Sequence, residues 1–317
     1  MKTKILLAAF ISTFIIHQST FAQGALTPPG APAPTMKTLA QIEPRTPISF
    51  VPYTINTPGS YYLTTNVTGI SASHGITITS GNVTLDLNGF TLSGVPGSFN
   101  GVNTPTSYTN VTVSNGSISS WSFSGVNIST GQPRNVVLHH LNVSACGVSG
   151  ISAANAVISD CTVTGSGGDG IDATYCSMRD CTVDSCAGGY GINLQPGTAT
   201  HCLVIRGFAS GIYCNSPGCV VSDNVVRNNN TGNFSGAAGI LLNDANNRIE
   251  NNQVFGNGVV GAGISGATGY TGNIIIKNTV SGSGANNYVI TGTQVVGPII
   301  TATGTITSTS PWANFSF

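Results

Sequence analysis

Charged side chains are scarce. Asp, Glu, Lys and Arg make up 6% of the 317 residues, against about 25% in an ordinary soluble protein. The ten basic and ten acidic residues cancel, so there is neither a basic footprint for nucleic acid nor an acidic tail. So little charge also excludes a coiled coil, whose flanking positions need it. Beyond the first 16 residues no stretch approaches the roughly 18 consecutive apolar residues of a membrane helix. None of the eight cysteines has CxxC spacing, which removes zinc-ribbon and thioredoxin-type readings. What the chain does have is glycine, 41 residues, and a hydrophobic content of 40%. That is enough for a core, so the polarity does not mean disorder.

Lys2 and Lys4 precede an apolar run over residues 5–16, and Thr20-Phe21-Ala22 offers small residues at the −3 and −1 positions of a cleavage site. This pattern predicts a signal peptide over 1–22 and a secreted, cell-surface or periplasmic protein with no membrane-spanning segment after signal removal. Six prolines between 28 and 47 make 23–50 an extended lead-in rather than a domain.

A repeat organises the rest. Gly75-Ile76, Gly101-Val102, Gly125-Val126, Gly150-Ile151, Gly170-Ile171, Gly191-Ile192, Gly211-Ile212, Gly239-Ile240 and Gly263-Ile264 recur at intervals of 20 to 28 residues, and Tyr288-Val289 reads as a weakened tenth copy. Each unit holds three short β-rich runs separated by Gly, Asn and Ser, which leaves no room for a helix. One such unit cannot bury its apolar side chains alone, so the units must stack. Counted back from the third run, the position two before the core Val reads Leu141, Cys161, Cys181, Cys202, Asn224, Asn252 and Asn278. Asparagine there tolerates a left-handed turn and bonds to its copies in adjacent coils.

This resembles the right-handed parallel β-helix of the pectin-lyase-like superfamily, with its inward asparagine ladder, over about residues 60–300. The expectation is an all-β, single right-handed parallel β-helix solenoid of about ten coils over 51–310, three short strands per coil. Irregular strands around 53–63 would cover the first coil, and the aromatic segment 311–317 would cap the last, because an uncovered end is an open sheet edge.

The cysteines between 146 and 219 invite a disulfide reading in an exported chain. Within the repeat, Cys161, Cys181 and Cys202 read instead as stacked buried thiols. Cys214 and Cys219 flank the turn 215–218, where a bridge would close a small loop.

In members of the superfamily that act on polysaccharides, the groove lies on the first parallel sheet. The outward position there is the residue after each Gly-Ile: Thr77, Asn103, Asn127, Ser152, Asp172, Asn193, Tyr213, Leu241 and Ser265. Asp172 is its one carboxylate, and a glycosidase needs two. Asp169, in the turn entering the same strand, is the candidate second. Asn193 and Tyr213 would then bind substrate, by a hydrogen bond and a stacking ring. The plainer reading is that Asp169 and Asp172 are turn and surface residues. His140, Asp160, Asp180, His201 and Asp223 line another edge, but a single row suits no compact metal site, and neither a metal nor any other cofactor is implied. With short loops, few carboxylates and few surface aromatics, the sequence favours a non-catalytic glycan-binding or surface structural solenoid, an extracellular polysaccharide being the partner. The alternative is a polysaccharide hydrolase, lyase or epimerase on the same face.

Overall fold

The glycine of each Gly-Ile step sits where no side chain fits. A Cβ on Gly125, Gly150, Gly170, Gly191, Gly211, Gly239 or Gly263 would collide with Cγ1 of the third-strand valine of its own coil: Val143, Val163, Val183, Val204, Val226, Val254 or Val280. It would also press on the backbone carbonyl of the next coil. The repeat is therefore a packing constraint that closes each coil on itself.

The computed structural model describes residues 42–284, 286–301 and 304–317; the signal peptide expected over 1–22 and most of the expected lead-in lie outside them. From Arg45 on, the chain is one unit. It is a right-handed parallel β-helix of about ten turns, with every strand pairing parallel. One sheet has eleven strands, from Tyr53–Ile55 to Asn286–Ile290, and carries the Gly-Ile steps. The other two runs of each coil form a second sheet of 22 strands, joined into one by two long strands, Thr109–Ser119 and Arg134–Ser144.

The register follows the sequence repeat. Ile151, Ile171, Ile192, Ile212, Ile240 and Ile264 lie side by side, all fully buried, and side chains alternate inward and outward from there. Two expectations need correcting. Tyr288 lies opposite Ile264, so Asn287 takes the glycine's place and the tenth copy starts one residue earlier than its weakened sequence suggests. The physical reason is that Tyr288 turns into the end of the core, where its hydroxyl donates to the carbonyls of Asn278 and Phe315. At the start, Tyr53–Ile55 and Gly59–Leu63 are regular paired strands of the first coil rather than an irregular cover.

One pattern recurs at many corners from Ala145 on. There a left-handed residue is followed by an inward Cys or Asn: Asp160 before Cys161, Tyr175 before Cys176, Asp180 before Cys181, His201 before Cys202, Asp223 before Asn224, Asn251 before Asn252 and Lys277 before Asn278. The ladder residues themselves do not take the left-handed bend, contrary to the sequence reading. The row from His140 to Asp223 takes it, which accounts for that row's polarity. Seven of the eight cysteines follow this rule, and Cys214 instead packs in the core of the eleven-stranded sheet between Leu194 and Leu242. All eight are buried thiols.

Candidate functional site

Asp172, Asn193 and Tyr213 occupy one register line of the eleven-stranded sheet, continuing from Ser152 to Leu241. Their neighbours Ile171, Ala173, Ile192 and Leu194 are fully buried, so the three point outward as the alternation requires. Asp169 enters from the preceding turn. Its Oδ1 accepts from the backbone N–H of Tyr190 at 2.7 Å. A Cβ on Gly189 would strike that carboxylate, so the glycine is what lets Asp169 lie against the next coil.

Asn193 ties the two acids together. Its Nδ2 lies 3.3 Å from Asp169 Oδ2 and 3.3 Å from Asp172 Oδ1, which puts the carboxylates within two hydrogen-bond lengths of each other. Gln195 Nε2 and Ser152 Oγ donate to Asp172 at 3.4 Å each. Burial raises the pKa of Asp169, against the Tyr190 and Asn193 hydrogen bonds that favour its charge. Burial also raises that of Asp172, and the charge of Asp169 raises it further. Asn193 Oδ1 is buried without a hydrogen-bond partner.

Four residues that sequence reasoning missed complete the site. Tyr190 stacks on Tyr213, with ring centroids 4.2 Å apart and planes at 21°. Asn243 Nδ2 donates to the Tyr213 hydroxyl at 2.7 Å. Phe208 and Phe234 meet edge to face at 5.2 Å, and with Tyr190, Leu241 and the Gly188–Gly189 turn they line a depression of about 330 Å³. The sequence reading weighed the loops as short; the long insertion at 228–237 nevertheless supplies a wall on this face. Asn230 fixes it by exchanging hydrogen bonds with the backbone of Phe234, a residue that stays 45% exposed. A signal for Tyr190 was present, because it fills the same place before Gly191 that Asp169 fills before Gly170.

The residues assemble acids, amides and rings on an open face. Carboxyls held close together suit proton transfer, amides suit hydroxyl groups, and stacked rings suit the apolar face of a sugar.

The fold is that of a right-handed parallel β-helix. Residues 134–281 match the family model described as Right handed beta helix region. The A-module of mannuronan C-5 epimerase AlgE6 from Azotobacter vinelandii is similar in structure, with a TM-score of 0.62 and 14% identity over 85% of this chain and 88% of that one. An alginate lyase from Paenibacillus sp. FPU-7 aligns with a TM-score of 0.60 and 12% identity over 78% of this chain and 100% of that one. The enzymatically active domain of bacteriophage CBA120 tailspike protein 2 aligns with a TM-score of 0.56 and 14% identity, covering 80% and 49%. At such identities the likeness is one of fold. No curated protein sequence matches the chain significantly. Among the described residues, no helix is long and apolar enough to cross a membrane.

Proposed function

We propose that this is an exported glycan-binding β-helix whose ligand lies on the eleven-stranded sheet. The observation that carries the reading is the continuous patch of Asp169, Asp172, Asn193 and the stacked Tyr190–Tyr213 pair beside an aromatic-walled depression. Adjacent strands are about 4.8 Å apart, close to the length of one sugar unit, so successive sugars meet successive coils. The polysaccharide-directed names of the structural neighbours agree with a glycan partner.

A second reading is catalysis by the same patch, favoured by the acid pair. Two carboxyls sharing one amide donor, both with raised pKa, form an arrangement in which one carboxyl donates a proton while the other stays ionised. Lyase or epimerase chemistry needs a base of higher pKa. Tyr190 and Tyr213 are poor ones, since burial raises their phenol pKa and keeps them protonated.

The two readings part in one experiment. The full-length secreted product is incubated with soluble oligosaccharides, and binding and chain cleavage are scored separately. On the binding reading, Tyr213→Ala weakens binding about tenfold, the value of a lost stacking contact, and no cleavage occurs with any variant. Cleavage that is lost in Asp172→Asn while binding survives establishes the catalytic reading. A protein that neither binds nor cleaves any glycan refutes both.

A further inference from the structure

The charges of the molecule are sorted by sheet. Seven Lys and Arg residues fall among the described residues, and none stands on the eleven-stranded sheet. Arg134, Arg179, Arg227 and Arg248 are on strands of the other sheet, while Arg45, Arg206 and Lys277 stand at its strand ends. Most are already engaged there: Arg45 with Asp86, Arg179 with Asp180, Arg206 with Asp184, and Arg248 and Lys277 with Glu250.

The outward line of the eleven-stranded sheet runs through Asn127, Ser152, Asp172, Asn193, Tyr213 and Leu241, and its one charge is negative. Asp169 adds a second beside it. Among the described residues, the histidine that flanks the sheet is His74; burial lowers its pKa, and its Nδ1 accepts from the Asn100 N–H. The groups that remain are uncharged amides, hydroxyls and rings, which match the hydroxyls and C–H faces of a neutral sugar.

Resting on the glycan reading above, we infer that this face selects uncharged glycans and turns away polyuronates. A uronate chain lying along the sheet meets two carboxylates and, among the described residues of the sheet, no cation to offset them. In water each like-charge approach at about 4 Å costs about fivefold in affinity, so two cost at least about tenfold. A neutral chain of the same length and linkage meets the same amides and rings without that cost.

The test titrates the full-length secreted product by calorimetry with cellohexaose, mannohexaose and xylohexaose, and in parallel with hexamannuronate and hexagalacturonate. EDTA is present, so that no divalent ion bridges the carboxylates. At about 20 mM salt, at least one neutral hexasaccharide should bind and both uronates should bind about tenfold more weakly or worse. The deficit should shrink at about 0.5 M salt, because screening reaches within about 4 Å there. It should also shrink in Asp169→Asn/Asp172→Asn, which keeps an acceptor at each position. The wild-type salt series decides the matter even if that double variant fails to fold. A uronate that binds as tightly as the best neutral hexasaccharide overturns the inference and leaves the glycan reading standing. A uronate deficit indifferent to salt also overturns it. If none of the five binds, the glycan reading falls and takes this inference with it.

Discussion

Two stretches of the solenoid solve one corner differently. In the three coils of Cys161, Cys181 and Cys202 the inward residue after this left-handed bend is a thiol, and at Asn224, Asn252 and Asn278 it is an amide. Both reach the same two acceptors. Cys161 and Cys181 point their thiols at the carbonyls of Leu138 and Ile158 in the preceding coil, and at those of Ser159 and Arg179 two residues back. Asn252 and Asn278 donate to Val221 and Ile249, and to Glu250 and Ile276, at 2.9 to 3.0 Å. The amide alone adds a strong acceptor. Asn252 Oδ1 takes both the backbone N–H and the Nδ2 of Asn224, and Asn278 Oδ1 takes the same pair from Asn252. The thiol fills the corner; the asparagine also joins coil to coil.

The widest gap between the two stretches should show on truncation. Asn252→Ala leaves several buried donors and acceptors without partners and should cost about 3–5 kcal/mol in urea denaturation. Cys181→Ala removes only weak sulfur contacts and a little volume, and about 1–2 kcal/mol is expected. Equal losses at the two positions would erase the distinction.

Thiol titration sharpens the same comparison without mutation. Burial lifts the Cys146 and Cys176 thiols to about 11 and Cys186 to about 12, so these three should react slowly with a disulfide reagent near neutral pH in the folded protein. Unfolded without reductant, it should yield eight thiols. A yield of six would show that one pair, Cys214 and Cys219 by the sequence reading, is bridged.

The smallest effect belongs to the site. Asp172→Asn should change stability at neutral pH by no more than about 0.5 kcal/mol, because the position is outward and keeps its acceptor oxygen. The sign leans toward stabilisation. The folded pKa of Asp172 lies above its ordinary value near 3.8, so the fold prefers the protonated form. The wild type therefore gains stability as pH falls through the raised value, and ionisation costs it stability above. The variant should lose that part of the acid gain, read as melting temperature against pH.

The coil architecture was legible because the same collision recurs in every turn. A glycine against a valine leaves a mark that survives changes in spacing from 20 to 28 residues, and it put Asp172, Asn193 and Tyr213 in register. Legibility failed where a coil departs from the average. Tyr288 filled an end of the core that no interior coil has, and the reading slipped by one residue. Tyr190 and Phe234 were missed for a related reason: both sit in turns, where length and chemistry vary from coil to coil and the period says nothing about which side chains meet. The left-handed bend was credited to the ladder asparagines because asparagine tolerates it. The preceding column takes it because only an outward side chain escapes the core at that bend.

The amide ladder has a direction. Each Nδ2 donates to the Oδ1 of the next coil, and Asn278 finds its acceptor in Asn314, 36 residues further on. Asn314 Nδ2 turns back to the carbonyls of Ile275 and Gly297. A chain synthesised or threaded across a membrane from its amino end can stack its early, thiol-cornered coils as they emerge. The later ones must wait, each with a buried backbone N–H and side-chain amide still lacking their acceptor from the next coil, until residue 314 arrives and the whole row settles together.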